Sequence, residues 1–215
     1  MTWLANIHRQ PQKIKYSQNG EEFILKYIFD NIGVTNKFFV DLGAWDGTHL
    51  SNTKLFAEQG WKGLLVDGKE FPGVYKSFIT VENIIRTLAL HHVPNDFDLL
   101  SLDIDGNDYW ILEQVLSYYK PRVIVSEYNS EHDPYIAKTI KYDPKFVFFP
   151  NDYYGYTYGA GVKLAERFGY TIIHQQSNLN LFYLRNDLMP VEKPNVKVEL
   201  YKHWKTPGEG EWIYL

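Results

Sequence analysis

The chain has 215 residues, 45% of them hydrophobic, which suits one domain that can bury a full core. Its formal net charge of −4 at pH 7 argues against nucleic acid as a main partner, because phosphate binding needs a basic face. Cysteine is absent, which excludes disulfides and thiolate metal sites, and neither a long apolar run nor a signal-peptide core occurs, so we expect a cytoplasmic, intracellular protein with no membrane span.

The first predicted elements lead into a strand and a glycine turn. Residues 1–18 are predicted to be an irregular lead-in, after which Ser17 and Glu21 indicate a capping box for a helix that stops at Gly33. Residues 38–47 then predict a buried strand that runs into a turn, where glycines allow the backbone to approach a ligand closely. Strand, glycine turn and helix together are typical of the mononucleotide-binding half of a doubly wound sheet.

The next segments supply two further strands and a helix. Residues 64–67 predict the second strand, and Asp67 ends it at the position that holds ribose hydroxyls in nucleotide-binding sheets. Residues 74–79 predict a short third strand. Thr80 is then expected to cap a helix that contains Ile84 and Leu88. The alternative is that Ile84 to Leu90 forms the strand itself.

Polar residues follow the fourth and fifth predicted strands. Asp103 and Asp105 end an apolar run that begins after Asp98, and Glu127 and Asn129 end the run that begins at Arg122. Ligands of open α/β sheets bind outside the carboxyl ends of the strands. These side chains are therefore expected to converge on one crevice, although a turn and helix cap is the simpler interpretation of residues 105–108.

The remaining chain predicts a lid, two closing strands and a tail. Residues 130–158 lack periodicity and are rich in tyrosine, so we expect a lid over the crevice; a surface loop whose aromatics pack on the body is the alternative. Residues 170–174 and 179–184 predict two final strands. The tail, residues 187–215, is expected to dock on the body or on a second subunit of a homodimer.

Several of these stretches carry a family resemblance. Ser17-Gln18-Asn19-Gly20-Glu21, the Asp-x-Gly-x-x-x-Gly turn that starts at Asp41, residues 102–110 and residues 126–129 resemble the FkbM-like group of class I S-adenosylmethionine (SAM)-dependent methyltransferases. The resemblance implies an α/β, Rossmann-like, doubly wound fold with a mostly parallel seven-stranded sheet and an aromatic lid inserted after strand 5. It also implies one methyltransferase domain over residues 1–215, with the lead-in, lid and tail described above.

The resemblance implies a function as well as a fold. Members of the wider family methylate sugar hydroxyls, so we expect a SAM-dependent O-methyltransferase with a small-molecule or oligosaccharide acceptor. The cofactor-binding residues it implies are Asp41, Gly43, Ala44, Asp46, Gly47, Ser51, Asn52, Asp67, Ile79 and Asp103.

The acceptor chemistry predicts a second group of residues. A sugar hydroxyl is a poor nucleophile, so it needs a base or a metal, and oxygen ligands favour Mg²⁺ or Mn²⁺. Related O-methyltransferases hold a metal after strands four and five, which implies Asp103, Glu127 and Asn129 as ligands here. The expected catalytic residues are Asp103, Asp105 and His132, with His49 as a reserve base, and the expected substrate contacts are Tyr128, Tyr153, Tyr154 and Tyr156.

Two other functions remain open at the level of sequence. Asp103-Ile104-Asp105 also resembles the metal-binding Asp-x-Asp of nucleotide-sugar glycosyltransferases, although that function leaves the earlier glycine turn unexplained. A non-catalytic glycan-binding module is the third possibility, and the tyrosines alone favour it.

Overall fold

A seven-stranded sheet lies at the centre of the computed structural model, which describes residues 3–10, 13–191, 194–204 and 206–215. The strands of the protein are β1 Phe38–Leu42, β2 Lys62–Asp67, β3 Tyr75–Lys76, β4 Leu99–Leu102, β5 Val123–Glu127, β6 Lys138–Ile140, β7 Tyr170–Gln176, β8 Asn180–Arg185 and β9 Trp212–Tyr214. The helices are α1 Glu21–Ile32, α2 Lys54–Glu58, α3 Ile84–Leu90, α4 Asp108–Leu116 and α5 Tyr158–Phe168, with 3₁₀ helices at Trp3–Arg9 and Asn186–Leu188. No helix in the described part of the chain is long and apolar enough to cross a membrane.

The order of strands confirms the predicted fold class. The sheet runs β3-β2-β1-β4-β5-β8-β7, and all neighbours are parallel except β8, which is antiparallel to both β5 and β7. The chain leaves β1 for β2 on one side and later returns to place β4 on the other. This reversal makes the carboxyl ends of β1 and β4 a topological switch point, where open α/β sheets bind their ligands.

Both faces of the sheet are buried, as expected for parallel strands. Alternate residues of each strand point to opposite faces, so Val40 and Leu100 pack in one apolar cluster, and Phe39 and Leu99 pack in the other. The lead-in contributes to the second cluster, because Leu4 and Ile7 of its 3₁₀ helix are buried there. The prediction of an irregular lead-in is therefore wrong for residues 3–9, whereas residues 1, 2, 11 and 12 lie outside the described part.

The start of α1 differs from the predicted capping box. Gly20, with φ +85°, occupies the N-cap position without a side-chain cap, and the Ser17 hydroxyl accepts a hydrogen bond from the Gly20 N–H (3.0 Å). The Glu22 carboxylate, not that of Glu21, accepts the N–H groups of Lys15 (2.8 Å) and Tyr16 (2.9 Å). Because the chain turns at a left-handed glycine, Glu21 is directed to a different partner, described below.

The segment between β2 and β4 is compressed, as the sequence predicted. The third strand is reduced to Tyr75–Lys76, and Ile84–Leu90 is a helix, so the alternative of a strand there is wrong. Thr80 does not cap this helix with its side chain; instead the Asn83 side chain accepts the Thr80 N–H (2.9 Å). Likewise, α2 begins at Lys54, and its N-cap residue Thr53 makes no side-chain cap.

The tail docks on the body of the protein. Strand β9 pairs antiparallel with β6, which lies inside the predicted lid, residues 130–158. The Lys138 ammonium lies 3.9 Å from the centre of the Trp212 ring, a cation–π contact that fastens the two strands together. The predicted lid is thus an ordered segment that the tail holds in place.

A buried ion pair ties together the amino-terminal ends of the strands. The Asp98 carboxylate, fully buried before β4, accepts hydrogen bonds from the N–H groups of Thr35 (3.0 Å) and Lys37 (2.7 Å) and from the Arg122 guanidinium (2.7 Å). Arg122 also donates to the carbonyls that end α1, at Gly33 (2.8 Å) and Ile32 (3.1 Å). A buried charge with this many partners is structural.

We predict that Arg122→Met destabilises the protein by about 3–5 kcal/mol, because it leaves the Asp98 charge buried without a cation. The control is Arg167→Met, which removes an exposed ion pair with Glu113 that is worth about 0–1 kcal/mol. Urea unfolding measures both changes. Equal, small losses of stability in the two variants would show that Asp98 does not depend on the Arg122 charge.

Candidate functional site

A cavity of about 950 Å³ opens at the carboxyl ends of β1, β2, β4 and β5. This is the edge of the sheet where the strand order reverses, and the volume is within the range of pockets that hold a nucleotide-sized ligand. Of the residues predicted to bind cofactor, those that line it are Asp41, Gly43, Ala44, Ser51, Asn52, Asp67, Ile79 and Asp103.

Gly43 brings the ends of β1 and β4 together. Its φ is +87°, and a Cβ placed there would lie 1.6 Å from the carbonyl oxygen of Asp103, so no other residue fits without moving β4. The N–H groups of Gly43 and Ala44 both donate to the Val66 carbonyl (3.0 Å each). The glycine is therefore required by the protein's own packing, in addition to lining the cavity.

Asp67 ends β2 at the cavity wall. Its carboxylate accepts the N–H groups of Trp45 (2.9 Å) and Lys69 (2.8 Å), which hold it in one orientation. Each oxygen keeps a further lone pair. Phe78 and Ile79 supply apolar surface beside it. The sequence indicated Ile79 but not Phe78, which is half exposed within the cavity.

Asp41 lies on the floor of the cavity, within a network of hydroxyl and amide groups. It accepts a hydrogen bond from the Thr53 hydroxyl (2.6 Å), and the neighbouring Asn52 amide donates to the Ser101 hydroxyl (3.2 Å). Burial raises the pKa of Asp41 to about 6, although the Thr53 and Ser101 hydroxyls oppose the shift. A cationic ligand group beside Asp41 would recover the charged form.

Asp46 and Gly47, also predicted to bind cofactor, do not line the cavity. The Asp46 carboxylate accepts the N–H groups of Thr48 and His49 (2.8 Å each), and its bond to the His49 ring is the main cause that lowers its pKa to about 2. A Cβ on Gly47 would lie 2.8 Å from the Leu65 side chain. These two residues shape the turn, whereas the predicted reserve base His49 does face the cavity.

Three carboxyl groups converge at the ends of β4 and β5. Asp103, Asp105 and Glu127 each offer an oxygen, and these oxygens lie within 4.8 Å of one another. Burial, followed by the charges of its carboxyl neighbours, raises the pKa of Asp103 well above the usual range, and the same causes act on Glu127. One Glu127 oxygen, Oε2, is buried with no hydrogen-bond partner among the described residues. The cluster is therefore short of positive charge and of donors.

The turn after β4 divides its polar residues between structure and cavity. The Asp108 carboxylate accepts the N–H groups of Ile104 (2.9 Å) and Gly106 (2.8 Å), and the Asn107 amide donates to the Asp143 carbonyl (2.7 Å). Asp105 adopts a left-handed conformation (φ +58°) and remains exposed at the cavity. The turn-and-cap interpretation thus applies to Asp108 and Asn107, and Asp105 joins the carboxyl cluster.

Two predicted site residues lie elsewhere. The Asn129 amide donates to the carbonyls of Asp152 (3.0 Å) and Tyr154 (2.9 Å), and its oxygen accepts the Glu131 N–H (2.9 Å). Asn129 is buried outside the cavity lining and its amide bonds to three backbone groups, so the prediction of Asn129 as a ligand is corrected. His132 bonds to the Asp152 carbonyl (2.9 Å) and is likewise not part of the lining.

Of the four predicted substrate tyrosines, Tyr154 lines the cavity. Tyr156 is buried and bonded to the Ser126 hydroxyl (3.0 Å) and the Tyr183 hydroxyl (2.8 Å). Tyr153 donates to the Glu211 carbonyl (2.9 Å), and Tyr128 is buried in the core. For these three the structure matches the alternative, in which loop aromatics pack on the body.

The cavity includes residues that the sequence did not indicate. The lid contributes Phe146 to Phe148, and the tail contributes Tyr201, His203 and Trp204. Glu131, buried in the lid, accepts the N–H groups of His203 (2.9 Å) and Trp204 (2.6 Å), which fixes the tail over the cavity. No local sequence pattern predicts these residues, because contacts between segments 72 and 73 positions apart set their placement.

The similarity of this chain to known proteins is limited to solved structures. No protein-family model matches it, and no curated protein sequence matches it, so the FkbM-like resemblance stays a prediction. Among solved structures it is similar to the N-terminal domain of EvdMO1 with SAH bound, at 14% identity and TM-score 0.47, over 83% of this chain and 82% of that chain.

Two further similarities are comparable. The N-terminal domain of EvdMO1 in the presence of SAH and D-fucose gives 12% identity and TM-score 0.46, over 85% of this chain and 93% of that one. An O-methyltransferase family protein from Burkholderia thailandensis gives 10% identity and TM-score 0.35, over 85% of this chain and 67% of that one. Identities of 14% and below leave the function to be argued from the chain's own residues.

We predict that Asp41→Asn makes the ligand-free protein more stable at pH 7–8, by up to about 3 kcal/mol. The pKa of Asp41 in the folded state, about 6, lies above its ordinary value of 3.8, so the folded protein binds the extra proton between these values. Stability therefore falls as pH rises from about 4 to about 6, and the asparagine variant lacks this part of the fall.

Thermal unfolding of both proteins from pH 4 to pH 8 measures the difference. The asparagine keeps an oxygen that can accept the Thr53 hydroxyl, so the comparison isolates the charge. If the difference in stability between the variant and wild type does not increase with rising pH, the ionised Asp41 side chain does not destabilise the folded protein.

Proposed function

We propose that the protein is a SAM-dependent O-methyltransferase that methylates a sugar hydroxyl with the help of a divalent metal. The observation that carries the proposal is one cavity in which Asp67 ends β2 and a cluster of three carboxyl groups ends β4 and β5. The first feature suits a nucleoside and the second suits a cation and an acidified hydroxyl.

The methyl donor has complementary groups along the wall. Asp67 retains lone pairs for two ribose hydroxyls, and Phe78 and Ile79 offer apolar surface for the base. Asp41 faces the region below the glycine turn, where an ammonium group would restore its charge. An acidic cavity also suits the sulfonium cation of SAM.

The carboxyl cluster fits a hard divalent cation. Asp103, Asp105 and Glu127 supply only oxygen, the ligand type that Mg²⁺ and Mn²⁺ prefer, and one Glu127 oxygen lacks a partner among the described residues. When bound, the ion supplies charge stabilisation that orients the acceptor and lowers the pKa of its hydroxyl.

The chain's own residues then handle the proton. The acceptor oxygen forms its bond to the methyl carbon while the carbon–sulfur bond breaks and the electron pair stays on sulfur. The hydroxyl proton passes to a carboxylate oxygen of Asp103 or Asp105, both of which line the cavity. The products are a methyl ether and the demethylated donor.

Aromatic side chains favour a sugar as the acceptor. Tyr154, Phe148, Tyr201 and Trp204 line the cavity from the lid and the tail. Ring faces can cover the apolar face of a sugar, while polar tips bond to its edges. Because the tail covers this part of the cavity, it would also keep water from the reaction.

A nucleotide-sugar glycosyltransferase is the second candidate. It is favoured by Asp103 and Asp105, which both belong to the metal-competent cluster. Calorimetry with SAH and with a nucleotide sugar separates the two functions. Binding of the nucleotide sugar without binding of SAH would replace our proposal, and turnover of SAM would remove the non-catalytic glycan-binding module from consideration.

We predict that Asp67→Ala weakens SAM binding by about 1.5–3 kcal/mol, because charge-assisted hydrogen bonds to the ribose are lost. Titration calorimetry measures the affinity. The control is Glu70→Ala, which removes a nearby exposed carboxylate that pairs with Lys76 outside the cavity lining. Equal affinity in wild type, Asp67→Ala and Glu70→Ala would exclude Asp67 from the site.

We predict that Asp103→Asn lowers turnover by about 10²–10⁴-fold with little change in SAH affinity, since the substitution keeps the shape and removes the base. Asp30→Asn, the same change in an exposed ion pair, is the control. EDTA should reproduce the loss in wild type, and Mg²⁺ or Mn²⁺ should reverse it. Full methyl transfer in excess chelator would support a metal-free base instead.

A further inference from the structure

Glu127 and Asn180 face each other across the antiparallel pair of strands β5 and β8. They are register partners, because Glu127 ends β5 and Asn180 begins β8. Directly opposite residues of an antiparallel pair lie on the same side of the sheet, with Cβ atoms about 4.5–5.5 Å apart. Both side chains line the cavity. The register between β5 and β8 therefore places an amide beside the carboxyl cluster.

Each of these two side chains has an oxygen that nothing satisfies. Glu127 is 8% exposed and Asn180 3% exposed, and among the described residues neither Glu127 Oε2 nor Asn180 Oδ1 has a hydrogen-bond partner. A buried polar atom without a partner is rare, since it costs about 1–3 kcal/mol. Two such oxygens line one cavity from directly opposite positions, which indicates a site for a bound cation or hydrogen-bond donor.

The orientation of the Asn180 amide follows from its other contact. Asn180 Nδ2 donates to Glu21 Oε1 (3.1 Å), and Glu21 is held by the Asn19 N–H (2.8 Å) and the Asn19 amide (3.1 Å). A carboxylate accepts only, so the amide nitrogen must face Glu21 and the amide oxygen must face away from it. The buried Glu21 thus positions a neutral oxygen at the cavity.

We propose that Asn180 supplies a neutral oxygen ligand to a divalent cation held by Asp103, Asp105 and Glu127. The proposal rests on the metal site of the proposed function and deepens it. One cation meets the needs of the three carboxylates and of the amide oxygen together, whereas a single hydroxyl donor would satisfy one of them. Asn180 takes the role predicted for Asn129, whose amide bonds to backbone groups and lies outside the cavity lining.

The test measures Mn²⁺ binding to the complete, ligand-free chain by electron paramagnetic resonance and calorimetry, without acceptor. The variants are Asn180→Leu, which removes the oxygen, and Asn180→Asp, which keeps an oxygen but loses the donor to Glu21. The control is Asn178→Gly, which removes another amide from the cavity lining at a left-handed position (φ +56°) that glycine accepts readily.

We expect Asn180→Leu to weaken Mn²⁺ binding at least as much as loss of an outer-shell residue does, about 10- to 100-fold. Asn178→Gly should bind as wild type does. Asn180→Asp should bind Mn²⁺ at least as tightly as wild type, and Mn²⁺ should raise its Tm by more than it raises the wild-type Tm, because the added carboxylate is repelled by its neighbours until the cation arrives.

Three results would overturn the proposal. Equal Mn²⁺ affinity in wild type and Asn180→Leu would remove Asn180 from the site and leave the carboxyl cluster as the metal site. Equal weakening in Asn180→Leu and Asn180→Asp would assign Asn180 a structural role through Glu21. If wild type binds SAH but no Mn²⁺, the metal site is rejected and the methyl-donor site is retained. The SAH measurement therefore distinguishes failure of this proposal from failure of the proposed function.

Discussion

A buried carboxylate must find positive charge or hydrogen-bond donors, and strand β4 meets this constraint in opposite ways at its two ends. Asp98, before the strand, is surrounded by backbone N–H groups and the Arg122 guanidinium. Asp103, after it, lies with Asp105 and Glu127 in a cluster that the described residues leave short of donors. The chain itself neutralises the first carboxylate, and we propose that a divalent cation neutralises the second.

The surrounding structure keeps the unsatisfied end of the sheet in place. Gly43 lets β1 approach β4, and Asp108 secures the turn from which Asp105 extends. Gly106 in that turn leaves room for Phe146 of the lid, whose ring would be 2.4 Å from any added Cβ. Glu131 then fixes the tail over the same cavity. The stability that the packed core and the Asp98–Arg122 pair provide offsets the repulsion among the carboxyl groups.

The sequence predicted the fold well because its signals are local. Apolar runs that end in an acid marked β1, β2, β4 and β5, and the family resemblance implied the mostly parallel seven-stranded sheet. The failures were of two kinds. Capping was misassigned where a left-handed glycine redirected the chain, as at Gly20. Short elements, such as the two-residue β3, depend on packing more than on composition.

The site was only partly predictable, for a related reason. The carboxylates follow directly from strand ends, so Asp67, Asp103, Asp105 and Glu127 could be predicted to line one cavity. Which amide faces them depends on the register between β5 and β8 and on Glu21, 159 positions from Asn180, and no local pattern distinguishes Asn180 from Asn129. In the same way, three of the four predicted tyrosines lie outside the cavity lining, because contacts with distant segments, such as Tyr183 for Tyr156 and Glu211 for Tyr153, set their placement.

The most direct test is an anomalous diffraction measurement on crystals grown with SAH and Mn²⁺. The account predicts SAH density along the carboxyl ends of β1 and β2, with Asp67 at the ribose, and a manganese peak among the oxygens of Asp103, Asp105, Glu127 and Asn180. SAH bound away from this edge of the sheet, or a manganese peak elsewhere with the carboxyl cluster filled by water alone, would contradict it.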